Sequence, residues 1–114
     1  MPGAPVFLFR DDGTRICGLA DALELVGDRW ALLVVREVGL GVRRFEQIRL
    51  HLGAPRQVLT ARLRKLEEVG ILERRQDHDR PPRFEYRLTA AGKELIPVPD
   101  SLRSWGERHA RQEE

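Results

Sequence analysis

The chain has 114 residues, 41% hydrophobic and 33% charged, with a formal net charge of +2: the size of one domain, apolar enough for a single core and therefore not a disordered chain. No apolar run approaches the roughly 20 residues that cross a bilayer, and the opening Met1-Pro2-Gly3-Ala4-Pro5 lacks the basic segment of a secretory signal, so a soluble cytoplasmic protein is expected. Cys17 has no second cysteine for a disulfide, and His51, His78 and His109 lie too far apart in sequence for metal-ligand spacing, so no metal or other cofactor is expected.

In chain order, Val6-Phe7-Leu8-Phe9 followed by Arg10-Asp11-Asp12-Gly13-Thr14 predicts a short strand or arm ending in an Asp-Gly turn. Leu19, Ala22, Leu23 and Val26 recur at helical spacing before Gly27, which gives a first helix. Asp28 caps a second helix whose Trp30, Leu32, Leu33, Val34, Val35 and Val38 are apolar almost all round, as a buried central helix requires. A third, shorter helix runs from Arg44 to Leu52, with Phe45, Ile48 and Leu52 on its core face and Gly53 as its stop. Pro55 at the first helical position and Gly70 past the last frame a fourth helix through Val69. The period then changes to alternation over Ile71 to Gln76 and Arg83 to Leu88, a hairpin with a basic, proline-rich turn from Asp77 to Pro82. Phe84, Tyr86 and Leu88 share the face expected to pack on the helices, and Arg83, Glu85 and Arg87 point the other way. Thr89 caps a last segment carrying Leu95, Ile96, Val98, Leu102 and Trp105, interrupted by Pro97 and Pro99.

Charge is distributed unevenly along this order. Residues 1–41 carry a net −2, residues 42–90 a net +5 and residues 91–114 a net −1, so the middle holds the surface that would meet a polyanion. Wound at about 100° per residue, the fourth helix puts Leu59, Leu63 and Leu66 on one face and Gln57, Thr60, Ala61 and Arg64 on the opposite one, with Arg56 at the margin. Small and hydrogen-bonding side chains with Arg, gathered in the first turns, are what a helix entering a major groove presents, and its N-terminus also suits a phosphate. An ordinary solvated helix face would read much the same, and the hairpin breaks the tie: Arg74, Arg75, Arg80 and Arg83 lie on or beside its tip, where a wing reaches a neighbouring minor groove or phosphates. Arg43 and Arg44, at the start of the third helix, are candidates for the DNA backbone.

Several segments in order resemble the HxlR-type regulators: Cys17-Gly18-Leu19-Ala20, Leu23 to Trp30, Leu32 to Glu37, Arg44 to Ile48, Val58 to Leu63, Leu66 to Leu72, Arg80 to Thr89 and the Gly92, Leu95, Trp105 spacing. The resemblance implies a mainly α protein with a small β-hairpin, a winged helix-turn-helix that dimerises through its first and last helices and presents two reading helices to a pseudo-palindromic operator in double-stranded DNA. It maps the reading helix to Arg56 through Val69, the wing to Arg74 through Arg83, and the dimer contacts to Leu19, Leu23, Leu102 and Trp105. The chain divides accordingly into an arm over residues 1–16, a DNA-binding domain over 17–90 and a dimerisation segment over 91–114. Three departures stand out. Pro55-Arg56 replaces the usual Ser-Pro, so Arg56 would take over a phosphate contact. Pro99 is expected to delay or kink the dimer helix. The arm before Cys17 is long enough to cross to a partner chain.

Cys17 at the start of the first helix is either a reactive sensor thiol, as in some of the relatives, or a small packed residue; with only Arg15 close by, packing is favoured. Trp30 and Trp105 could line a pocket for a small-molecule effector, against the commoner reading as core or interface. A winged-helix protein-interaction module without specific DNA binding is the competing function. No nucleophile-base pair, phosphate loop or carboxylate cluster appears at useful spacing, so an enzyme is not expected.

Overall fold

A computed structural model describes residues 8–110, together with the side chains of all of these but Leu8 and Ile16; Val6 and Phe7 of the expected first strand lie outside the described residues. Leu8–Phe9 (β1) and Arg15–Ile16 (β2) pair antiparallel across the Asp-Gly turn. There follow helices at Gly18–Val26 (α1), Ala31–Gly39 (α2), Phe45–Leu52 (α3) and Arg56–Glu68 (α4), strands at Leu72–Asp79 (β3) and Pro82–Leu88 (β4), and helices at Ala90–Leu95 (α5) and Pro97–His109 (α6). Three helices, a reading-type fourth and a two-stranded wing make a winged helix-turn-helix.

The core is assembled from one face of each inner element. Val34, Val35, Ile48, Leu59, Leu63, Leu66 and Leu72 are almost wholly excluded from solvent, joined by Val26, Ala31, Val38, Ala54, Ile71 and Leu88. In α2 the adjacent Val34 and Val35 are poor helix formers because their branched side chains lose χ1 freedom. Burial outweighs that deficit, since each such side chain gains about 1.5–3 kcal/mol on leaving water. Asp28 starts α2 as expected: its Oδ1 accepts from the amides of Trp30 (2.9 Å) and Ala31 (3.1 Å). Among the described residues one carboxylate lies inside. Glu37 of α2 is buried, and its Oε1 sits 2.6 Å from Nδ1 of His51 on α3, with Arg36 Nη2 3.4 Å from its other oxygen. A carboxylate out of water needs such partners, so the pair fixes α3 on α2.

Local geometry departs from the sequence expectations in three places. Pro55 is not the first helical residue of α4 but its cap: its ψ of 141° is extended, and its carbonyl accepts the first helical bond from Leu59 at 3.0 Å. The wing turn is shorter than Asp77 to Pro82, because β3 and β4 stay paired up to Asp79 and Pro82. Pro99 neither delays nor kinks the last helix. The break falls earlier, at Ile96 between α5 and α6, and both prolines lie in the first turn of α6, where backbone N–H groups have no helical partner to lose.

Two glycines hold the wing root to the helices. Gly70, at φ +82°, turns the chain out of α4 in a conformation that side-chain-bearing residues avoid. Gly92 lies so close to the Ile71 carbonyl that a Cβ there would stand 2.3 Å from its oxygen. Thr89 caps α5 beside it, its Oγ1 accepting from the Gly92 amide at 3.1 Å. No helix among the described residues is long and apolar enough to cross a membrane.

Candidate nucleic-acid interface

On α4 the amphipathic split follows the sequence reading. Leu59, Leu63 and Leu66 are buried, while Arg56, Gln57, Thr60, Ala61 and Arg64 are all exposed. The flanks, which sequence reasoning left without a role, lock the helix in place. Arg62 Nε lies 3.3 Å from Asp28 Oδ1, the oxygen that also caps α2, and Lys65 Nζ donates to the Glu24 carbonyl at 2.9 Å. Cations at those two positions therefore orient the open face; a helical-wheel reading that sorts only core from surface does not see them.

The exposed residues are not equally available. Arg56 pairs with Glu46 of α3, and its guanidinium carbon stands 5.3 Å from the centre of the Phe45 ring. Glu46 also accepts from Arg49 Nε at 3.0 Å. The Arg56 guanidinium, then that of Arg49, holds the Glu46 carboxyl below the usual carboxylate range. Thr60 donates its hydroxyl proton to the Arg56 carbonyl at 2.8 Å, which leaves its oxygen to accept. Arg64 has no carboxylate partner among the described residues, and with Gln57 and Ala61 it forms the unencumbered part of the face.

The hairpin is built around an irregularity. Gln76 pairs with Phe84 and His78 with Arg83, so Asp77 is an extra residue on β3. Such a bulge re-aims a side chain, and here the re-aimed carboxylate meets Arg44 at the start of α3. Arg44 Nη1 donates to Asp77 Oδ1 at 2.8 Å and to the Phe84 carbonyl at 2.8 Å, while its Nη2 bonds the second oxygen, Oδ2. This forked pair is the strong geometry for a guanidinium and a carboxylate. It pushes the Asp77 carboxyl down and the Arg44 guanidinium up from their ordinary values. A backbone bond from the Tyr86 amide to the Arg43 carbonyl, 2.8 Å, adds a second tie. Arg44, read from sequence as a DNA-backbone candidate, is thus engaged with the wing.

Alternation along the strands divides the four wing arginines. Arg80 and Arg83 are exposed at the tip. Arg74, opposite Tyr86, lies with its guanidinium carbon 4.8 Å from the Phe84 ring centre. Arg75 falls on the other sheet face and pairs with Glu73 at 2.7 Å. Of the apolar set expected to pack on the helices, Leu88 is buried and Tyr86 half-buried, but Phe84 is exposed beneath Arg74. Burial, and secondarily the charge of Glu67, raises the Tyr86 hydroxyl above its ordinary value.

Elsewhere, α1 and α6 flank α2 and enclose an apolar groove of about 480 Å³ lined by Leu23, Val26, Leu32, Leu33, Pro99 and Leu102 among others. Trp30 packs on the core, while Trp105 is exposed on α6, where it lines a shallow groove with Pro97, Val98, Ser101 and Leu102. Cys17 caps α1, its Sγ accepting from the Ala20 amide at 3.4 Å.

Residues 25–114 match the family described as HxlR-like helix-turn-helix. The chain is 50% identical over 88 residues to an uncharacterized HTH-type transcriptional regulator of Mycobacterium tuberculosis, an alignment that covers 77% of this chain and 56% of that one. It spans little more than half the length of that relative. An HTH-type transcriptional regulator of Synechocystis is 39% identical over 100 residues, 87% of this chain and 74% of the relative. Among solved structures, the redox regulator HypR in its oxidized form superposes with a TM-score of 0.74 at 29% identity, over 86% of this chain and all of that one.

Proposed function

Because the chain belongs to the HxlR-like helix-turn-helix family, we propose that it is a sequence-specific DNA-binding transcriptional regulator that acts as a homodimer on a pseudo-palindromic operator. The observation that carries this reading is the exposed face of α4, Gln57, Thr60, Ala61 and Arg64, followed by a wing whose tip bears Arg80 and Arg83. The α4 face enters the major groove, where an arginine paired with a guanine edge discriminates by about 1–3 kcal/mol. The wing tip lies on adjoining phosphates or the minor groove. Arg56 and Arg44 act at one remove: each is tied within the protein and holds α4 or the wing at its angle. Arg74 stands beside the phosphate track, whereas Arg43 and Arg75 line a cavity on the far face of the wing.

Dimerisation uses α1 and α6, whose Leu19, Leu23, Leu102 and Trp105 are exposed in the single chain. In this reading residues 17–90 bind DNA, residues 91–114 dimerise, and the protein works in the cytoplasm without catalytic activity. Residues 111–114, like residues 1–7 of the arm, lie outside the described residues. A small-molecule effector would find apolar lining in the groove between α1, α2 and α6. Cys17 serves as a helix cap.

Selection of bound sequences from a random duplex pool with the purified chain tests this. Enrichment of an inverted repeat with half-sites about one helical turn, ~34 Å, or a multiple apart is expected. On the selected site, Arg64→Ala relaxes sequence preference, whereas Arg80→Ala or Arg83→Ala weakens all sequences alike and lowers the salt slope by about 0.9 per lost phosphate contact. No enrichment, with only weak salt-dependent binding, would turn the reading towards a protein-interaction module.

A further inference from the structure

The face of the wing turned away from α4 roofs a cavity of about 510 Å³ whose lining brings together four cations from four separate segments. Arg43 comes from the α2–α3 loop, Arg75 from β3, Arg87 from β4 and Lys93 from α5. Two carboxylates answer them: Glu73 lies 2.7 Å from Arg75 Nη2 and Glu85 2.6 Å from Arg87. Among the described residues no carboxylate pairs with Arg43 or Lys93, so the cavity retains two uncompensated positive charges. Like charges converging on one concavity repel unless an anion lies between them, and guanidinium and ammonium donors together match an oxyanion with several acceptor oxygens.

We propose that this wing-root cavity binds a small oxyanion, the phosphate or carboxylate group of a low-molecular-weight ligand. Duplex DNA is too wide to enter it, and its charged wing lining, Glu73, Arg75 and Arg87, lies on the sheet face opposite Leu72, Arg74 and Tyr86, which are turned towards the core and α4. An anion held there would join the α2–α3 loop, the wing and α5, the three segments that meet where Tyr86 bonds Arg43 and Thr89 caps α5. The site is independent of the DNA-binding reading, because it is measured without DNA.

The test is calorimetric titration of the full chain with inorganic phosphate and, separately, citrate, at constant ionic strength set with chloride. Parent protein, the wing-root pair Arg43→Gln/Lys93→Gln and the wing-tip pair Arg80→Gln/Arg83→Gln are compared after thermal unfolding shows that all three are folded. Saturable binding of one anion by the parent, weakened on the order of tenfold or more in the wing-root pair and unchanged in the wing-tip pair, is expected; which anion binds identifies the group. Absence of saturable binding of either anion, or equal weakening in both pairs, overturns the proposal.

Discussion

The inner and outer helices use the same apolar periodicity to opposite ends. On α2, α3 and α4 the apolar stripes close on one another, leaving Val34, Ile48, Leu59 and Leu63 with essentially no exposed surface. On α1 and α6 the corresponding stripes remain open: Leu19 is 68% exposed, Leu23 53%, Leu102 53% and Trp105 54%. A contiguous exposed apolar surface of this kind marks an interaction site on a folded protein. The inner stripe closes within one chain; the outer one is where the proposed dimer would form.

The contrast breaks most visibly at the outer stripe. In a two-fold dimer each substitution acts twice, so Leu102→Glu removes two side chains whose burial contributes about 1.5–3 kcal/mol each and leaves two charges to be desolvated. The dimer dissociation constant should rise by two to four orders of magnitude, about 3–6 kcal/mol, while far-ultraviolet circular dichroism of the dilute monomer stays helical. Sedimentation velocity over a concentration series decides it. An unchanged self-association would place the interface elsewhere.

Leu63→Ala tests the inner stripe and should do the reverse. Truncation of a fully enclosed leucine costs about 2–5 kcal/mol, depending on how far its neighbours collapse. Denaturant unfolding should show that loss at protein concentrations where the parent is wholly dimeric. Above the unfolding midpoint concentration of denaturant no dimer should persist; below it, self-association should match the parent. Loss of association without loss of stability would mean that Leu63 belongs to the outer system.

How far this division was legible in the sequence depends on which interaction sets it. Leucine spacing exposes the α4 core face and the α1 and α6 stripes, since periodicity reports which side of an element avoids water. It does not report what covers that side: the first-helix pattern Leu19, Ala22, Leu23, Val26 looks like any core helix, yet only Val26 is buried within the chain. Glycine and Asp-cap signals at Asp28, Gly53 and Gly70 fell where the backbone needs them, because they are local. Long-range polar ties escaped for the converse reason. Arg44 meets Asp77 across 33 residues, and nothing local distinguishes an arginine bound for a wing carboxylate from one bound for a phosphate. The bulge at Asp77 that makes the meeting possible also shortened the turn, since strand pairing continues through polar residues that read as loop.

Arg44→Ala sharpens the comparison at a third level, the polar strap between inner scaffold and wing. The core is untouched, so global stability should change little; amide exchange along β3 and β4 should quicken, and operator affinity should fall by several-fold with sequence preference kept. The pH dependence follows from the depressed Asp77 carboxyl. A carboxyl whose folded value lies below its unfolded one contributes stability above the unfolded value, about pH 4, and loses it as pH falls through the folded value. Parent and variant wings should therefore differ throughout neutral and mildly acid solution and converge only in stronger acid. Convergence already near pH 6 would point to a histidine, not Asp77, as the group that fastens the wing.

The smallest effect is expected at Cys17, where α1 begins and the outer stripe starts. Sulfur accepts weakly, and the 3.4 Å contact from the Ala20 amide is all that the thiol supplies as a cap. Serine accepts better at that position and is among the preferred caps, so Cys17→Ser should leave the unfolding midpoint unchanged or raise it slightly, by a few tenths of a kcal/mol. HypR, with which the chain superposes, is a redox regulator, and that gives the measurement its alternative. Operator affinity of the parent is compared before and after treatment with a thiol-specific oxidant, beside Cys17→Ser. If Cys17 is a cap, all three affinities agree within about twofold, well under 1 kcal/mol. If oxidation weakens only the parent, Cys17 is a switch, and its place at the start of the outer stripe explains the coupling: a modified thiol there would disturb the α1 face of the proposed dimer before it disturbed anything in the inner core.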